Sequence, residues 1–171
     1  VSAINQEGAI ERSANSLENI FFSRPLIAPV EGVTLGKEVV SSQEFFSLYL
    51  SSAPEILPRS LAPQFMFGLH YDATQTGNVF LILKTTSFET ALAGMLKWEK
   101  TMVNDIGPLL NVKSGDTQGF KDIVIQNNDT RALLDRSREP VLIYSFVDRN
   151  TILIASNRGT LGNILSLLNK K

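Results

Sequence analysis

Between Gln64 and Ile106 the chain alternates in blocks. Two apolar, aromatic-rich runs, Phe65–Tyr71 and Val79–Leu83, flank the polar stretch Asp72–Asn78. That stretch holds one glycine and no apolar residue larger than Ala73, the composition of a turn between two strands. After Thr86 the period changes. Phe88, Ala91, Leu92, Met95, Met102, Val103 and Ile106 recur at helical spacing and predict one long amphipathic helix. Thr86 and Glu89 match a capping box at its start, the hydroxyl accepting from the N–H three residues on while the carboxylate reaches back. An apolar helix face needs a sheet to lie on, and the preceding hairpin is the nearest one.

The same reading extends to the rest of the chain. Residues 1–19 are polar with scattered small apolar residues and read as a tether or linker, leaving 20–171 as a single domain. Pro25, Pro29, Gly32 and Gly36 predict short extended pieces and turns. Ser41 and Glu44 form a second capping-box pattern, opening a short helix to about Ser52 with Phe45, Leu48 and Tyr49 on one side. Turns are expected between Pro54 and Pro63, a break at Gly107–Pro108, and a polar loop over Asn111–Gly119. Four strands follow: Phe120–Gln126, Thr130–Asp135, Val141–Val147 and Thr151–Ser156, with Asn127–Asp129 as the first turn. Thr160 is the expected N-cap of a last helix whose Leu161, Ile164, Leu165 and Leu168 share a face.

The order is therefore ββα–ββββα after an irregular, short-helix N-terminal segment. Short turns between neighbours mean antiparallel pairing, because parallel strands need a crossover of about a dozen residues. The predicted fold is α+β: an antiparallel β-sheet with amphipathic helices packed on one face.

Composition narrows the function classes. Of 171 residues, 43% are hydrophobic and 19% charged, enough to build a sizeable core. Sixteen basic against seventeen acidic residues give a net charge of −1, without the basic footprint of a nucleic-acid binder. Cysteine is absent, which removes thiol nucleophiles, disulfides and thiolate metal sites. No run approaches the roughly 18 to 20 apolar residues that cross a bilayer. Val1–Arg12 lacks the pattern of a signal peptide, so the chain as given reads as soluble.

Candidate chemistry is sparse. His70, the sole histidine, is the base that a nucleophile–His–acid site would need. Ser47, Ser87 and Ser145 carry no glycine-flanked elbow, and the plainer reading is a partly exposed strand histidine. Asn127, Asn128 and Asp129 superficially match a calcium loop but lack its central glycine and terminal glutamate. Phosphate loops are absent too, so no catalytic residue, metal or cofactor is assigned. A glycoside-cleaving pair among Asp72, Glu89, Glu99 and Asp105 depends on separation in space. Trp98 lies toward the edge of its helix face, either packed at the core rim with its N–H satisfied or offered to a partner. The residues assigned to partner contact are Trp98, Asn127, Asn128, Asp129 and Arg131; those assigned to a ligand are His70, Tyr71 and Tyr144.

Two phrases carry a resemblance: NVFLILKTTSFETALAGMLKWEKTMVNDIGPLL, and FKDIVIQNNDTRALLDRSREPVLIYSFVDRNTILIASNRGTLGNIL. They resemble a domain of uncharacterised proteins from candidate-phylum bacteria, the Parcubacteria-like groups, over roughly Phe22 to Leu168. The resemblance implies a membrane-spanning anchor upstream of Val1, with the polar start as its tether, and brings no activity with it. The expected function is a non-enzymatic domain acting by protein–protein contact, through a protein partner or its own copies, as a scaffold in an envelope assembly. No nucleic-acid partner is expected, and the membrane enters only through the anchor. A small-ligand or glycan-binding domain is the alternative, and a hydrolase without a recognisable motif the third reading.

Overall fold

The computed structural model describes residues 3–4, 10–11, 17–22, 41–74, 76–110, 112 and 114–169. Two short strands, β1 (Ala3–Ile4) and β2 (Ile10–Glu11), pair with each other. The main sheet uses β3 (Leu17–Phe22), β4 (Leu61–Tyr71), β5 (Gly77–Thr85), β6 (Thr117–Ile125), β7 (Asn128–Asp135), β8 (Pro140–Asp148) and β9 (Thr151–Ala155). Its seven strands run in the order β3-β4-β5-β9-β8-β7-β6, and every neighbouring pair is antiparallel. The helices are α1 (Ser42–Tyr49), α2 (Ile56–Arg59), α3 (Phe88–Trp98), α4 (Met102–Leu110) and α5 (Arg158–Leu168). The α+β class and the antiparallel sheet are those predicted.

The placement of the helices is not. Successive strand residues point to opposite faces, and here both faces are covered. Phe65, Phe67, Leu81, Leu83, Ile152 and Ile154 meet Phe45 and Phe46 of α1, Leu57 of α2, Met95 and Trp98 of α3, and Met102 of α4. Met66, Phe80, Ile82, Ile143 and Leu153 meet Leu161, Ile164 and Leu165 of α5. All five residues of β9 are buried, the signature of a strand covered on both sides. The result is three layers: α1–α4, the sheet, and α5.

The long helix is two. α3 ends at Trp98, and a turn in which Thr101 N–H bonds Trp98 O and Asn104 N–H bonds Thr101 O redirects the chain into α4. Asp105 fixes this corner: it accepts the Trp98 indole N–H at 2.8 Å, the Ser52 N–H at 3.1 Å and the Ser52 hydroxyl at 2.6 Å. Gly107–Pro108 lies inside α4 rather than after it. Tertiary partners also override the expected cap of α3. Ser87 is its N-cap without a side-chain bond, the Thr86 hydroxyl donates to Ser60 O, and Glu89 pairs with Arg149. The Ser41–Glu44 capping box does form, but Phe45 and Phe46 are the buried side chains of α1, and Leu48 and Tyr49 face outward. The N-cap of α5 is Asn157, accepting from Thr160 N–H at 2.9 Å, and Thr160 itself is buried in the first turn.

At the far edge β6 is irregular between Thr117 and Phe120, where Gly119 adopts φ 84°, and Lys121 and Asp122 are exposed. Of the expected tether over 1–19, residues 3–4, 10–11 and 17–19 are strand, in β1, β2 and β3, and the rest lies outside the described residues. The extended pieces after Pro25 lie outside them altogether.

α2 and α3 cross closely enough that a Cβ on Gly94 would stand 2.8 Å from Leu57 Cβ and 3.0 Å from its Cα. Gly94→Ala gains about 1 kcal/mol of helix propensity but overpacks this crossing by about 1–3 kcal/mol. The expected outcome is a Tm lowered by a few degrees in thermal unfolding. A Tm raised above the parent's would show that α2 moves aside freely.

Candidate functional site

Register brings three side chains into a row across the outer strands: Asp122 of β6 opposite Arg131 of β7, and Arg131 opposite Tyr144 of β8. Glu99, at the C-terminal end of α3, descends onto them. Arg131 Nε and Nη2 donate to the two Glu99 oxygens at 2.7 Å each, and the Tyr144 hydroxyl adds a third bond at 2.7 Å. Arg131 Nη1 reaches Asp122 at 2.9 Å. Pairing with Glu99 raises the Arg131 pKa, while burial and then the bond to Glu99 push the Tyr144 phenol upward. A bidentate arginine and a phenol occupy both oxygens of this carboxylate. The group ties α3 to β7 and β8.

A second polar cluster sits where β4 and β5 meet α5. His70 is buried rather than partly exposed. Its Nδ1 lies 3.2 Å from Thr160 Oγ1 and its Nε2 3.3 Å from Asn163 Nδ2. The Asn163 amide nitrogen can only donate, so with Nδ2 turned to the ring Nε2 accepts and Nδ1–H donates to Thr160, the bonding pattern of a neutral imidazole. Burial lowers its pKa, with nearby Asp72 acting in the opposite direction. Asp72 itself organises the β4–β5 turn. It accepts from the Thr74 hydroxyl at 2.6 Å, the Thr74 and Thr76 N–H groups at 2.9 and 3.1 Å, and Asn78 Nδ2 at 3.1 Å. The Thr74 hydroxyl is the main cause of an Asp72 pKa lowered to about 2. Asn157 Nδ2 donates to Asn78 Oδ1 at 2.7 Å, linking this turn to α5. Among the described residues no serine bonds His70: Ser87 bonds Thr90, and Ser145 bonds the Asp129 carbonyl.

The residues assigned to contact and ligand binding do not converge. Trp98 is wholly buried and presents no surface. The hairpin turn is Gln126–Asn127, both at positive φ, and not Asn127–Asp129; Asn128 already opens β7 with its amide on Gln126 O at 2.9 Å. Asn127 and Asp129 are exposed, whereas Arg131 is engaged by Glu99. In the ligand set, Tyr144 belongs to the core beneath α1–α4, and His70 faces α5 on the opposite side. Tyr71, next to His70 in the same strand, points away from it.

One feature was not read from the sequence. An open cleft of about 380 Å³ runs between α1 and α2, floored by Phe46, Leu50 and Ala53 and rimmed by Gln43, Ser47, Glu55 and Arg59. Its second wall, Ile56–Arg59, is one turn long and contains Pro58, too short to show a helical period. Beneath α1 an apolar void of about 10 Å³ has room for no more than one water. Among the described residues no three acidic or histidine side chains gather as metal ligands, and no helix is long and apolar enough to cross a membrane. No family model, curated protein or solved structure matches the chain.

Tyr144 makes stability fall at alkaline pH. Above its ordinary value of 10.0 the unfolded chain releases a proton that the folded chain retains, so each further rise in pH favours unfolding. Urea unfolding between neutral and alkaline pH should show this slope, and Tyr144→Phe should reduce it while costing about 1–2 kcal/mol at neutral pH for the lost bond to Glu99.

Proposed function

We propose that this chain is a non-enzymatic domain that works by protein–protein contact, using the surface formed by α1 and α2. The observation that carries the reading is the outer surface of α1. Leu48 is 69% exposed and Tyr49 51% exposed on a helix whose other flank borders the open cleft. An apolar floor within a polar rim is the anatomy of a protein interface, and tyrosine is favoured there. The rim's charges, Glu55 and Arg59, already pair with each other at 2.7 Å, which leaves the cleft without a net charge to select a charged ligand. The apolar side chains of a partner's amphipathic segment suit it best. The dispersal of His70, Tyr71 and Tyr144 over the two sides of the sheet counts against the small-ligand alternative. We further propose that an anchor upstream of Val1 holds the domain at a membrane as part of a scaffold, as the resemblance implies.

Photo-crosslinking in the source cells tests the contact surface, with the crosslinker placed at Tyr49 and, as a control, at Arg138 on an outer hairpin. Crosslinks to protein should concentrate at Tyr49 and disappear in Leu48→Asp, whose Tm should stay near the parent's because surface substitutions cost within about 0.5 kcal/mol. Equal crosslinking at both positions would overturn the assignment.

A further inference from the structure

We propose that His70 is an acid-sensitive latch that holds α5 over its face of the sheet, and that protonation of the ring releases the start of the helix. Four observations support this. Among the described residues α5 is the only helix on that face, and its Leu161, Ile164 and Leu165 pack in one cluster with Phe80, Ile82 and Leu153. His70 grips the helix at two points, Thr160 in its first turn and Asn163 one turn on. As placed, the grip uses the neutral ring: a proton on Nε2 would face Asn163 Nδ2 donor against donor and force the amide to turn over. It would also put positive charge beside the first turn of α5, where the backbone N–H groups are themselves partly positive.

Among the described residues the surrounding charges leave this balance in place. Asp72, two residues on and just past the end of β4, favours the imidazolium but directs its carboxylate to Thr74, Thr76 and Asn78. β5 places the uncharged Asn78 in register with His70. β3 places Leu17 there, and its one ionisable residue, Glu18, is in register with Leu69. α5 contributes Arg158, exposed and of like charge to an imidazolium. Burial disfavours the charged ring, as its lowered pKa records.

The sign follows from linkage. With the helix start open, His70 is wetted and recovers its ordinary value of 6.5; closed, it binds a proton only at lower pH. Below pH 6.5 the open form therefore takes the proton first, and the opening constant rises tenfold per pH unit until the closed form also titrates. The reverse change closes the latch as pH rises.

Hydrogen exchange on the full chain reads this opening at the amides of 161–165, corrected for the intrinsic pH dependence of exchange, from about pH 7.5 to about pH 5. The sole imidazole can be followed by its ring proton shift in the same samples. The expected result is a rise in opening as pH falls below about 6.5, at most tenfold per unit and levelling off once the closed form titrates, and absent in His70→Gln. Should His70→Gln fail to fold, Asn163→Asp keeps the test, because residue 163 is exposed. A carboxylate beside Nε2 gives the imidazolium a partner in the closed form, so the ring midpoint should move up and the acid-driven rise should vanish. Opening that ignores pH in the parent, an identical rise in His70→Gln, or an unchanged rise in Asn163→Asp would each overturn the latch.

Discussion

The ladder between β5 and β9 makes one sheet out of two hairpin systems. On one side stand β3, β4 and β5; on the other, the meander β6–β9 returns through short turns until its last strand lies beside β5. Five residue pairs join them, from Phe80–Ala155 to Lys84–Thr151. Leu81–Ile154 and Leu83–Ile152 feed the core under α1–α4, and Phe80–Ala155 and Ile82–Leu153 feed the one under α5. Each fully buried aliphatic or aromatic side chain there contributes about 1.5–3 kcal/mol, so the seam adds to the stability of both cores. Its partners are some 70 positions apart in sequence, which makes it a long loop to close, a kind of pairing that slows folding.

Helix positions are then set by charged and polar groups rather than by apolar area alone. Asp105 gathers an indole, a hydroxyl and a backbone N–H at the corner between α3 and α4, and thereby ties in the end of α1. Glu99 does the same for the end of α3 with Arg131 and Tyr144. Buried polar groups must be paired, and these pairings use side chains that a sequence-level search for catalysis singles out. Glu99 and Asp105 are thereby engaged in holding helices in place.

Local patterns were legible where local physics decides. The β4–β5 hairpin, the meander, the Ser41–Glu44 capping box and the amphipathic stripe of α5 all follow from spacing within a few residues. What failed depends on distant partners. Thr86 would cap α3 but for the Ser60 carbonyl, and Trp98 would be an edge residue but for the carboxylate of Asp105. His70 is buried because Thr160 and Asn163 arrive from 90 and 93 positions away. Nothing within its own strand reports that. The second helical layer was readable in principle, since Ile152, Leu153 and Ile154 form an unbroken apolar run where one-sided burial would alternate. The α1–α2 cleft left no trace, because α2 is shorter than one reliable period.

The far edge of the sheet has a consequence for how this molecule behaves in a crowd. A flat strand with open backbone donors invites copies of itself to add on and grow a fibre. The kink at Gly119 bends β6 out of that geometry. Any two-fold antiparallel pairing centred on the middle of the strand sets Lys121 against its own copy, or Asp122 against its own, and like charges directly opposed repel. Growth of the lattice of strands is thereby disfavoured at this border.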